Sequence, residues 1–223
     1  MKKVSKISVL VSTAFLVISC SNDQALRNKA DELAQKFIIT DGHIDVPWRL
    51  NKGYEDLSVR TKTGDFDYVR AKEGGLDVPF MSIYIPSSYI ETGGAKEKAD
   101  SLIDMVNQMA DKDPDKFEVA YSLADANRIF QEGKIALPMG MENGVGIEDD
   151  LSNLKYFYDR GIRYITLTHS KDNLICDSSY DESEDTWGGL SPYGRKVVKE
   201  MNRLGIMVDI SHVTDEVINQ VMD

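Results

Sequence analysis

Cysteine is nearly missing from this chain. Cys20 and Cys176 are the only two in 223 residues, so no disulfide framework holds the fold together. Histidine is almost as sparse, with three copies, His43, His169 and His212. Positive charge is in deficit: 26 lysines and arginines stand against 37 acids, a net charge of −11. A nucleic-acid binder needs a basic face, so that class of function is excluded. No glycine-rich phosphate loop follows the first strand-like run, which argues against a dinucleotide-binding sheet. Nor does any apolar run reach the ~20 residues that a membrane-spanning helix needs.

What the first residues do carry is an export signal. Lys2, Lys3 and Lys6 precede an apolar stretch from Ile7 to Ile18, broken by Ser8, Ser12 and Thr13. Val17-Ile18-Ser19-Cys20 then closes it with a small residue before cysteine, which resembles the lipobox of bacterial lipoproteins. The expectation is a signal peptide over 1–19 and a lipidated Cys20, exported and anchored to a bacterial cell membrane by several hydrocarbon chains. Cleavage removes three lysines and no acid, moving the charge from −11 to about −14. Residues 20–36 form an anchor segment and a charged helix with Leu26, Ala30, Leu33 and Phe37 along one side.

From residue 37 onward, strand-like and helix-like patterns alternate. Apolar runs occur at Phe37–Thr40, Val78–Ile85, Ile135–Met141, Tyr164–Thr168 and Ile206–Ile210. Helical patterns cover Lys96–Ala110, Leu123–Glu132, Leu151–Arg160, Pro192–Leu204 and Thr214–Met222. Ser122 with Asp125 makes a capping box, Ser191-Pro192 an N-cap with proline at the first helical position, and Gly161 and Gly205 stop helices. Such alternation means parallel β/α units. The fold expected over 37–223 is a (β/α)8 TIM barrel of the metal-dependent hydrolase type. Eight units typically need about 250 residues. Five strands and an end at Asp223, inside a helix, read as a barrel truncated to about five units with an apolar open edge.

Chemistry gathers where these runs end. Asp41-Gly42-His43-Ile44-Asp45, Met141-Glu142-Asn143 and Asp209-Ile210-Ser211-His212 each close an apolar run with metal-binding residue types, and His169 closes a fourth. C-terminal strand ends are where a barrel builds its active site. His43 and Asp45, two apart in an extended segment, can face one cation. Asp41 is a turn residue or a hydrogen-bond acceptor behind them. Glu142 in an apolar setting must be a ligand or an ion-pair partner, and its two oxygens can bridge two cations. The acidic stretch Asp177–Asp185 matches no ligand spacing and reads as a solvated loop. Cys176 reads as a small, partly buried residue, and Pro47 and Trp48 as shapers of a loop.

Asp41-Gly-His-Ile-Asp-Val-Pro47, Glu142 after its strand, Leu167-Thr-His169 and the long block Gly189 to His212 resemble the renal, or membrane, dipeptidase family of zinc metallopeptidases. The resemblance runs from residue 37 to the end. It implies a zinc dipeptidase that cleaves dipeptides with a hydroxide bridging two ions, often tolerating a D-residue on the C-terminal side. His43 and Asp45 would hold the first zinc, Glu142 would bridge both, and His212 would hold the second. His169 would contact substrate and steady the oxyanion rather than bind metal. Ile44 departs from the family, which usually has asparagine there. The family's further histidine, arginine and aspartate lie downstream of His212 and have no counterpart before Asp223. A homodimer stays open. The alternatives are another barrel amidohydrolase, acting on a cyclic amide or as a deaminase, and an inert lipoprotein fragment; H-x-D rather than H-x-H after the first strand favours the dipeptidase.

Overall fold

The computed structural model describes residues 23–223, so the signal peptide and Cys20 lie outside the described residues. Helix α1 covers residues 23–36 and leaves Leu26, Leu33 and the adjoining Phe37 exposed. Strand β1 (Ile39–Ile44) follows, then α2 (Val46–Lys52), α3 (Tyr68–Gly74), β2 (Leu76–Tyr84), α4 (Tyr89–Thr92) and α5 (Ala95–Lys112). After them come β3 (Phe117–Val119), α6 (Leu123–Gln131), β4 (Ile135–Leu137), β5 (Met139–Glu142) and a 3-10 turn (Gly144–Ile147). The chain continues through α7 (Ser152–Asp159), β6 (Ile162–Thr166), α8 (Pro192–Leu204), β7 (Met207–Asp209) and α9 (Asp215–Met222).

Five strands form one sheet in the order β1-β2-β5-β6-β7, every neighbour parallel. Sequence order is thus preserved across the sheet, as in half of a barrel. Because side chains alternate across a strand, the register fixes which residues share a face. Tyr84, Glu142, Thr166 and Asp209 form one cross-sheet row, and Ser82, Gly140, Tyr164 and Met207 form the next row below on the same face. The opposite face sends Met81, Ile83, Met139, Met141 and Ile165 into the core, with Leu102, Ile103 and Val106 of α5, Leu154 and Phe157 of α7, and Val197 and Met201 of α8. That apolar layer is the main stabilising mass, since burial of a large aliphatic or aromatic side chain contributes roughly 1.5–3 kcal/mol.

Where structure and sequence pattern part, the backbone gives the reason. The run Ile135–Met141 is two strands, because Pro138 has no N–H to offer the ladder. Its carbonyl still accepts from Met81 N–H at 2.8 Å, while β4 turns to pair with β3. Pro47 and Trp48 sit in α2, with Pro47 in the first turn, and not in a loop. The stretch Asp177–Asp185, expected to be solvated, is exposed from Ser179 to Asp185 apart from half-buried Asp181, but its first residues are structural. Asp177 is fully buried, its carboxylate accepting from Trp187 and Gly189 N–H at 2.9 and 2.7 Å. Cys176 is wholly buried, and burial raises its thiol far above the ordinary range. No helix among the described residues is long and apolar enough to cross a membrane.

Candidate metal centre

Three strand ends and one loop deliver five side chains to one place. Glu142, the last residue of β5, is the hub, with its side chain 9 % exposed. Its Oε2 lies 3.3 Å from His43 Nε2, and its Oε1 lies 3.3 Å from His212 Nε2 and 3.5 Å from His169 Nε2. Asp45 Oδ1 stands 3.6 Å from His43 Nε2. Ser82 Oγ donates to Glu142 Oε2 at 3.3 Å. No arginine answers Glu142, so the bland alternative of a structural ion pair gives way to an imidazole cluster.

Local backbone explains the aim of each group. Asp41 accepts from His43 N–H at 3.0 Å, which makes it the turn residue that curls the end of β1 and sends His43 and Asp45 to the same side. Asn143 and His212 both adopt positive φ, 79° and 67°, a conformation uncommon outside glycine and often concentrated at functional sites. Asn143 is locked there by donating to Ile85 O at 3.0 Å and accepting from Asn173 Nδ2 at 3.2 Å. The 170–191 segment ties the two remaining histidines together. Ser178 Oγ donates to His169 O at 2.5 Å and lies 3.3 Å from His212 O, and Ser179 N–H donates to His212 O at 2.9 Å.

Charge in this cluster is arranged for cations. Hydrogen bonds to Asp45 and then Glu142 push His43 up to about 10, against the opposing effect of burial. The same contact lowers Asp45. His169 moves the other way, lowered chiefly by burial, and its Nδ1 is buried with no hydrogen-bond partner. A proton on His43 here occupies the side of the ring that a metal ion would take, since imidazole binds metals as the neutral base.

The donors fall into two groups that share one residue: His43, Asp45 and Glu142, and Glu142, His169 and His212, each within 4.8 Å. Nitrogen and carboxylate donors in such sets suit zinc or a similar divalent ion. Every metal-site residue expected from the sequence is brought together, and His169 stands as near to Glu142 as a ligand would. Two contributors escape sequence reasoning. Ser82 is the one polar residue in Phe80-Met-Ser-Ile83 and could have been flagged on that ground; Tyr164, whose Oη lies 2.7 Å from His43 Nδ1, reads in sequence as ordinary core. An open cleft of roughly 810 Å³ lies over the cluster, lined by Asp41, Tyr164, Thr166, Asp209 and Ser211 besides the histidine ends of β1 and β7.

Imidazoles and carboxylates converging at the C-terminal ends of parallel strands make a candidate metal-binding donor set on a barrel-like α/β sheet. The family model of the membrane dipeptidases, peptidase family M19, matches residues 27–223, and the chain belongs to that family. An uncharacterized dipeptidase of Schizosaccharomyces pombe is 35% identical over 210 residues, covering 87% of this chain and 51% of its own length. Mouse dipeptidase 3 is 32% identical, covering 91% and 42%. Among solved structures, the probable dipeptidase PvdM of Pseudomonas aeruginosa superposes with a TM-score of 0.79 at 28% identity, over 89% of this chain and 52% of that one. A metallopeptidase of Rhodobacter sphaeroides, liganded with a phosphinate mimic of L-Ala-D-Ala, gives 0.72 at 26% identity, over 83% and 61%. The chain spans about half the length of the curated relatives it matches.

Proposed function

We propose that this protein is a zinc-dependent dipeptidase with a two-cation centre, and that Glu142 is the shared carboxylate. One observation carries the reading: the two oxygens of Glu142 face different imidazoles, Oε2 toward His43 and Oε1 toward His212. A carboxylate so divided is what a paired-cation site requires. His43 and Asp45 complete the first group, and His212 belongs to the second. When bound, the ions supply a water of lowered pKa and a Lewis-acidic hold on the scissile carbonyl. His169, whose imidazole burial disfavours protonating, presents Nε2 to the centre, where its N–H would donate a hydrogen bond to the oxygen that gains charge as the carbonyl is attacked. Dipeptides are the substrate class, with a D-residue accepted on the C-terminal side; the phosphinate-bound relative supports this. The five-stranded sheet takes the part of the first strands of a closed (β/α)8 barrel, and Cys20 carries the lipid anchor at a bacterial membrane.

A second reading is favoured by one distance: His169 Nε2 is 3.5 Å from Glu142 Oε1, within the same donor group as His212. There His169 is itself a ligand. Zinc counting on His169→Ala separates the two. Hydrolysis of L-Ala-D-Ala by the zinc-loaded protein, abolished by a chelator and by Glu142→Gln, is the result expected of a dipeptidase. Turnover of a cyclic amide or nucleobase without dipeptide cleavage would transfer the protein to the other barrel amidohydrolases.

A further inference from the structure

We propose that Tyr164 is the positioning residue for His43, fixing the orientation of its ring and the nitrogen that keeps a proton. Tyr164 Oη lies 2.7 Å from His43 Nδ1, and the two rings are stacked with centroids 6.3 Å apart at 29°. On the far side of the imidazole, Nε2 faces Glu142 Oε2 at 3.3 Å and Asp45 Oδ1 at 3.6 Å. A ring engaged through both nitrogens cannot flip. With Oη accepting from Nδ1–H, Nε2 is the nitrogen left to face the two carboxylates.

The sheet is built around this contact. Tyr164 lies on β6, and His43 lies near the end of β1, with β2 and β5 between them. The register sets Gly140 of β5 between Ser82 and Tyr164 in one cross-sheet row. A Cβ at Gly140 would stand 2.0 Å from both Cε1 and Cζ of Tyr164. Gly140 is not among the glycines with positive φ, so its backbone does not call for glycine; the ring lying across it does. Phe80 backs the same ring, with centroids 5.5 Å apart. The consequence for a cation rests on the metallodipeptidase reading. Groups that hold the second nitrogen of a metal-bound histidine typically change metal affinity by about 10–100-fold.

The test is Tyr164→Phe in the full chain, which keeps the ring and its packing. Two readouts are taken: zinc affinity by chelator competition, and the exchange of the His43 Nδ1 proton by NMR in the metal-free protein. The expected result is a native circular dichroism spectrum, zinc held about 10–100-fold more weakly, and an Nδ1 proton that exchanges rapidly. Gly140→Ala, which keeps the hydroxyl but displaces the ring that carries it, should reproduce the weaker binding. A Tyr164→Phe protein with unchanged zinc affinity and a still-protected Nδ1 proton would overturn the assignment while leaving the dipeptidase reading intact. A wild-type protein that protects this proton through Tyr164 yet binds no zinc would do the reverse, supporting the positioning role and sinking the metal centre.

Discussion

At the scale of single residues, the centre is a contest between protons and cations for the same lone pairs. His43, raised to about 10 from its ordinary 6.5, is the sharpest instance. A group whose pKa is raised on folding contributes stability that is complete below its unfolded value and is lost as pH rises through the folded one. The metal-free protein should therefore lose stability between about pH 6.5 and 10, as measured by urea midpoints, and His43→Gln should flatten that slope. His169 is tested by separation of roles. His169→Ala should lower kcat by about 10²–10³ while both zinc ions remain bound, the signature of a lost oxyanion donor. Loss of one zinc would instead make it a ligand. Residue types at the ends of apolar runs made His43, Asp45, Glu142 and His212 legible in the sequence. Tyr164 was not, and Ser82 shows only as a lone polar residue in an apolar run, because their importance lies in what stands opposite them across the sheet, and register is not written locally.

At the scale of elements, legibility follows the strength of local signals. The helix expected at Pro192–Leu204 occurs with those bounds, because an N-cap serine, a first-turn proline and a left-handed Gly205 at φ 79° mark both ends. Helix α2 was invisible: Val46-Pro-Trp-Arg-Leu-Asn-Lys52 has no apolar period long enough to show, and it begins directly after Asp45. Strand β3 has three residues, too few for an alternation to register. Ser191 offers a test of how α8 is held. Its Oγ accepts from Gly194 N–H at 2.8 Å and donates to Leu174 O at 2.5 Å, at 1 % exposure. Ser191→Ala removes a cap and the donor to the Leu174 carbonyl, and it should cost about 1–2 kcal/mol in equilibrium unfolding. Ser122→Ala, at an exposed cap, should cost about 0.5–1 kcal/mol.

At the scale of the whole molecule, the sheet has two unpaired edges among the described residues, β1 and β7, with Ile39 and Met207 exposed on them. Free parallel edges of apolar composition invite pairing with other chains. The 223-residue chain should show concentration-dependent self-association by light scattering, and Met207→Lys should reduce it. The lipid anchor proposed at Cys20 has a direct test. Cys20→Ser should abolish incorporation of labelled palmitate and release the protein from the membrane fraction, whereas labelling of the serine variant would refute the lipoprotein reading.

The 170–191 segment also sets how the centre fails. Through Ser178 and Ser179 it grips the carbonyls of His169 and His212 at once, so neither histidine can come adrift alone. Segments of this kind tend to open as cooperative units well below global unfolding. The amide of Ser179 is then a reporter: its hydrogen-exchange rate measures how often both histidines are unmoored together. A pair of side chains far apart in sequence thereby shares one breathing motion, and inactivation by mild denaturant should proceed as a single event with that segment's opening.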